Sequence, residues 1–149
     1  MNKIARKHTV FGLVFAILGM LMGIYMAASH DHGQRATHAH VLLLGLVVSL
    51  LYGMVYRLWL PDEPSALATA QLVLHQAGTV GLTSGLFIMF GALLPTPTIE
   101  PVLAVASLAV LAGAVLMLVI FLRAGRATAQ PAPPTPRHVP PQSARPSAP

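Results

Sequence analysis

The chain has 149 residues, of which 55% are hydrophobic and only 9% charged, with a formal net charge of +5. A soluble domain carries about a quarter charged residues, so this chain cannot cover itself with charge and lipid is its expected solvent. Cysteine is absent, which excludes a disulfide framework, a thiolate metal site and a cysteine nucleophile; the scattered basic residues form no patch with interleaved aromatics, so nucleic acid is not an expected partner.

Four segments are apolar for the roughly 20 residues a bilayer crossing needs. The first, 9–29, contains no charged side chain. Lys3, Arg6 and Lys7 before it would also suit the basic start of a signal peptide. Its apolar run is long for that role, however, and MAAS is only a loose cleavage site. The second span, 39–60, carries only Arg57, near its end. The third, 71–94, contains His75 and no formal charge. The fourth, 101–122, lies between Glu100 and Arg123.

Proline marks the boundaries. Pro61 and Pro64 follow the second span, and Pro95 and Pro97 the third. Pro101 opens the fourth, where its missing N–H costs nothing. Backbone in hydrocarbon must satisfy its own polar groups, so each span is a helix. Short connections make sequential helices antiparallel neighbours. The expected fold is an all-α integral membrane protein, a four-helix up-down bundle over residues 1–126. The segment 127–149 follows as a tail. Eight of the thirteen prolines fall in 131–149, and that composition predicts a disordered Pro-rich tail. Asp62 and Glu63, beside prolines, read as a solvated turn.

Lys3, Arg6, Lys7, Arg57, Arg123, Arg126, Arg137 and Arg145 all fall on one side of the four-span arrangement, and only Arg35 on the other. The positive-inside rule then places both termini in the cytoplasm and the protein in the inner, cytoplasmic membrane. Tyr52, Tyr56 and Trp59 read as an aromatic belt at the inner interface. Gly12, Gly19 and Gly23 in the first span, and Gly78, Gly81 and Gly85 in the third, are small residues that let helices approach.

The histidines carry the candidate chemistry. His30, His32, His38 and His40 crowd into eleven residues at the outer face. His30 and His32 lie in SHDHG, a turn signal. Thr37 is the expected N-cap of the second helix. His38 and His40 are two residues apart, so they turn by about 200° and point to opposite faces. An imidazole inside a span is a functional hypothesis by default, and neutral imidazole ligates haem iron and copper well. With the third helix starting at Gln71, His75 lies about one turn inside the inner boundary. That puts it on the order of 20 Å from His40 along the membrane normal, too far for both to hold one haem. His8 lies closer to His75 in depth, which makes an inner pair the alternative. Met22, Met26 and His30 are spaced by four, and share one face if the first helix reaches His30; thioether and imidazole together suit Cu(I).

The run HAHVLLLGLVVSLLYGMVYRL resembles the second transmembrane helix of haem–copper oxidase subunit I and its small membrane relatives. In that family such a helix begins near the outer face with a histidine that ligates low-spin haem, a position His38 or His40 would occupy. LHQAGTVGL, 74–82, is similar to a histidine-then-glycine pattern in the small relatives. The resemblance covers 19–86. A full catalytic subunit has about three times as many spans, and this chain lacks a second histidine pair like the copper site and a tyrosine to complete it. Oxygen reduction by this chain alone is therefore not expected. The resemblance implies haem b binding, with His38, His40 and His75 as candidate ligands, in electron transfer, redox sensing or oxidase assembly. A respiratory oxidase or a second copy would be the partner beside the lipid bilayer. The alternatives are a copper-handling protein using Met22, Met26, His30 and His32, and a structural small subunit of a membrane complex. No serine triad, carboxylate pair, phosphate loop or zinc signature is present.

Overall fold

The computed structural model describes residues 3–60 and 66–128. Four helices follow in order: α1 (Lys3–Ser29), α2 (Arg35–Leu58), α3 (Ala66–Phe90) and α4 (Thr96–Thr128). All four are long and apolar enough to cross a membrane, and no strand occurs among the described residues. The chain is a multi-pass membrane protein built as an up-down bundle. The readings of the Pro-rich tail from 129 onward and of the Asp62–Glu63 turn lie outside the described residues.

The burial pattern is that of a protein dissolved in lipid. Large apolar side chains face outward; Ile24, Val105 and Leu108 are each about two-thirds exposed. The interior collects glycine and small polar residues. In lipid there is no hydrophobic drive between helices, so close approach and interhelical hydrogen bonds hold the bundle. Glycine makes that approach at named crossings. The Phe15 ring of α1 lies directly on Gly45 of α2, and Leu42 lies on Gly19. At Gly78 the backbone of α4 comes so close that an added Cβ would stand 3.0 Å from the Ala106 carbonyl. Gly113 of α4 admits the backbone of His75, 3.2 Å from where its Cβ would be.

Helices begin and end differently from the proline-based boundaries. α3 starts five residues before Gln71, so His75 lies nine residues inside the helix rather than one turn, or about 14 Å from its start. α4 starts at Thr96 and holds Pro101 inside it. Pro101 forgoes one backbone bond near the helix start, where few bonds exist to lose. α2 starts at Arg35, with Gln34 in the cap position and no side-chain cap. Thr37 is therefore an interior residue. It is 1% exposed, and its hydroxyl donates to the Gln34 amide oxygen at 2.7 Å. Gln34 in turn donates to the Phe87 carbonyl at 3.0 Å, capping the end of α3. α3 closes with Ala92 in the left-handed region (φ 50°). The Leu93 amide donates to the Ile88 carbonyl and the Ala92 amide to Met89, the paired bonds of a Schellman cap. Gly91 precedes this position; a Cβ there would stand 2.9 Å from the Phe87 carbonyl oxygen and 3.3 Å from the Gln34 amide nitrogen.

Inside α2, residues Val41–Val48 form a π-helical segment. Thr37, Val41, Gly45, Ser49 and Gly53 are all buried, every fourth residue along one face. Four α-helical residues overshoot a full turn by about 40°. The wider π turn takes up that drift and keeps the row facing inward. The Ser49 hydroxyl, one residue past the segment, reaches back to the Leu44 carbonyl at 3.2 Å.

Candidate functional site

α3 carries Gln71, His75, Thr79 and Thr83, each four residues from the last. All four are buried, the first three at 0% exposure. This polar row runs through about 18 Å of an otherwise apolar helix. His8 of α1 and Ser49 of α2 are buried beside it, also at 0% exposure. Three helices thus deliver six polar side chains to one sealed interior row.

The hydrogen bonds fix which ring nitrogen carries each proton. The Gln71 amide oxygen accepts from the Tyr56 hydroxyl at 3.3 Å and meets His8 Nε2 at 3.0 Å. An amide oxygen only accepts, so His8 donates from Nε2 and its lone pair lies on Nδ1. Ser49 Oγ lies 2.9 Å from His75 Nε2. With its one proton directed to Leu44, it accepts from His75, whose lone pair is then also on Nδ1. Both Nδ1 atoms are buried without a hydrogen-bond partner, as are Gln71 Nε2 and Thr79 Oγ1. Buried polar atoms in native proteins are almost always paired with protein or ordered water, so four such atoms in one row mark it as a place that takes up a further polar partner.

Aromatic rings close the cluster. His8 stacks on Tyr56 (5.8 Å, 13°) and meets Tyr52 edge-on at 5.6 Å. His75 meets Tyr52 at 4.9 Å and Phe11 at 6.4 Å. The two imidazole centroids are 5.7 Å apart. Tyr56 is therefore a core residue, not part of an interfacial belt, whereas Trp59 is 57% exposed. Below the cluster, Ile4, Ala5, Leu60, Ala68, Leu72, Met117 and Ile120 form an apolar plug at the end of the bundle that carries Lys3 and Arg123.

Of the residues singled out in the sequence, the structure brings His75 together with His8 and keeps it apart from His38 and His40. His75 pairs with Ser49, nine residues along α2 from His40, an axial separation of about 13 Å. Its ring is packed on by His8, Tyr52 and Phe11, and leaves no open face for a macrocycle. His38 is part-buried against α1; Gly23 leaves room for its ring, whose Cε1 would stand 3.2 Å from a Cβ there. Its Nδ1 is buried without a partner. His40 is also part-buried, and its Nδ1 lies 2.8 Å from the Ala36 carbonyl, four residues back. A carbonyl accepts, so Nδ1 carries the proton and the Nε2 lone pair is left for another partner.

His30 and His32 are exposed. α1 ends at Ser29, and His30 takes a left-handed backbone (φ 56°). It therefore does not continue the face of Met22 and Met26, and the three-residue ladder expected from the spacing is broken. Met26 is a buried core residue at 7% exposure. Met22 lines a cleft of about 610 Å³ with Phe15, Thr37, Val41 and Thr83. The SHDHG turn is held by Asp31, whose carboxylate accepts from the Gly33 amide at 2.8 Å. Among the described residues, no group of three or more His, Cys, Asp or Glu side chains converges as a metal site.

No known protein family, curated protein or solved structure matches the chain. Ser49, Gln71 and Tyr56 were not among the sequence candidates. The four-residue spacing of Gln71, His75, Thr79 and Thr83 was the legible signal, because residues four apart share a helix face. The pairing of that face with His8 and Ser49 was not legible.

Proposed function

We propose that the chain is a multi-pass haem b-binding protein of the inner membrane, with the outer-end imidazole of His40 as axial ligand and His38 beside it. The observation that carries this reading is the bond from His40 Nδ1 to the Ala36 carbonyl. A ligating histidine is held by a hydrogen bond from its other ring nitrogen, which fixes the tautomer and the ring orientation. His40 has that arrangement inside an apolar helix end, and Nε2 is the nitrogen left to bind. The likeness of HAHVLLLG to a haem-bearing helix supports the same residue. Bound haem would supply a one-electron redox centre. The chain supplies the imidazole, its orientation and an apolar surround. Electron transfer, redox sensing or assembly beside a respiratory oxidase are the roles that chemistry serves, with an oxidase or a second copy as partner.

His75 stands outside this role, since its ring is enclosed on all sides by named side chains. The test is a reduced-minus-oxidised spectrum of the purified full chain, expressed with added haem precursor. A haem b band is expected in the wild type and in His75→Leu, and is lost in His40→Ala. A wild-type preparation with no haem band would overturn the proposal. A band that survives in both His40→Ala and His38→Ala would move the ligand elsewhere. Absence of any chromophore or metal would favour the structural-subunit reading.

A further inference from the structure

We infer that the cleft between the start of α1 and α3 is a site for one anionic phospholipid, drawn from the leaflet that meets this end of the bundle. The cleft has a volume of about 840 Å³. One end of it carries Lys3, Arg6 and Lys7 of α1, all exposed. Residues three and four apart share a helix face, so the three cations gather on one rim. Among the described residues no carboxylate lies at this end, because Asp31 follows the far end of α1 and Glu100 lies near the start of α4, at that same far end. No described acid therefore neutralises the three charges.

Beyond the cations the cleft is apolar. Val10, Val14 and Val73 line it about half exposed, while Phe15 and Leu72 line it as buried residues. Exposed sides over a buried floor make a recess, unlike the face that α1 shows to bulk lipid with Leu13 and Ile17. Phe15 lies eight residues along α1 from Lys7, or about 12 Å, close to the roughly 15 Å of hydrocarbon in one leaflet. The Gln76 amide crosses from α3 to donate to the Lys7 carbonyl at 3.3 Å. That bond ties the two walls together where the charged and apolar parts meet.

Charge and solvent choose the occupant. An acyl chain gains no hydrophobic free energy by leaving bulk lipid for an apolar cleft, so the preference is set at the headgroup. Each basic residue near an anionic headgroup is worth about fivefold in binding, and three of them favour a net negative head over a zwitterionic one. Arg6 adds the planar fork that pairs with phosphate oxygens. A free phosphate would meet only the cations and leave the apolar length unused, whereas a phospholipid uses both. The site shares no residue with the outer histidines, so it does not rest on the haem reading.

The test uses the purified full chain in detergent, with phosphatidylglycerol or phosphatidylcholine added and bound lipid counted by native mass spectrometry. One phosphatidylglycerol per chain, at concentrations where phosphatidylcholine is not retained, is the expected result. Lys3→Gln, Arg6→Gln and Lys7→Gln should each weaken binding about fivefold, and together about 100-fold. Arg57→Gln and Arg123→Gln remove charge at the same end but outside the cleft, and should leave binding unchanged. Val14→Trp keeps every charge but fills the apolar part, and should lose the lipid. Excess glycerol phosphate should not displace it. The comparison of the two lipids on the wild type stands alone if a variant fails to fold. Equal retention of both lipids, equal loss from Arg57→Gln, lipid retained in Val14→Trp, or displacement by glycerol phosphate would each overturn the inference. A lipid-free dimer that Val14→Trp splits would give the cleft to a second copy, and would overturn it too.

Discussion

The hydrogen bond between Ser49 and His75 joins α2 to α3 in the middle of the bundle, and its worth can be measured. Ser49→Ala takes the hydroxyl acceptor from the buried His75 Nε2–H and leaves it only the Leu44 carbonyl, so the loss is bounded by the general cost of about 1–3 kcal/mol for an unpaired buried donor. Membrane proteins return less, because the unfolded chain within the bilayer also finds partners; measured interhelical bonds average about 0.6 kcal/mol and reach about 1.7. Both residues are fully buried and the bond is 2.9 Å long. The coupling should therefore lie in the upper part of that range, at about 1–1.7 kcal/mol. The assay is a double-mutant cycle of Ser49→Ala and His75→Leu, followed by unfolding in mixed detergent micelles. It is run with chelator present, so that no metal contributes. Ser84→Ala, an exposed hydroxyl on the same helix as His75, serves as the reference and should fall within about 0.5 kcal/mol of wild type. A coupling energy indistinguishable from zero would refute the reasoning, since it would mean that the two groups do not depend on each other in the folded bundle.

Two further outcomes follow from packing and charge. Gly78→Ala should destabilise the bundle by about 1–3 kcal/mol, because the new Cβ meets α4 backbone and the helices must part. Gly81→Ala, whose Cβ would meet only the Ala106 side chain at 3.2 Å, should stay within about 1 kcal/mol of wild type, since its helix-propensity gain offsets the tighter contact; equal effects at the two positions in the same unfolding assay would contradict the close α3–α4 crossing. The chain contains no cysteine, so single substitutions report orientation cleanly. His32→Cys should react with an impermeant maleimide in intact spheroplasts and Lys3→Cys only after lysis, and the reverse pattern would overturn the orientation taken from the basic residues.

Much of this architecture was written in the composition. Four apolar runs, proline between them and almost no charge inside them leave a chain in lipid one economical solution, because backbone in hydrocarbon must bond to itself. The spans were therefore readable even though their ends were not. Proline at 101 suggested a start, but a helix near its first turn tolerates proline and α4 begins earlier. The small residues before Gln71 concealed five residues of α3, and with them how far His75 lies from the helix start. The place of His38 and His40 in the first turns of α2 was also readable, because the apolar run that makes the helix follows them directly.

The sealed cluster was decided by tertiary structure. Sequence spacing places Gln71, His75 and Thr79 on one face of one helix, but it does not say what faces them. That depended on the crossing of α1 against α2, set by Phe15 on Gly45, and on the π-helical turns that bring Ser49 inward. It also depended on α3 starting early enough for Gln71 to reach His8 and Tyr56. For the same reason Tyr56, which reads as an interface residue from its place near a span end, is a buried hydrogen-bond donor. Within a helix the period is fixed by the backbone and is visible in the sequence. Between helices, partners are fixed by rotation and depth, and these emerge only when side chains of particular size meet.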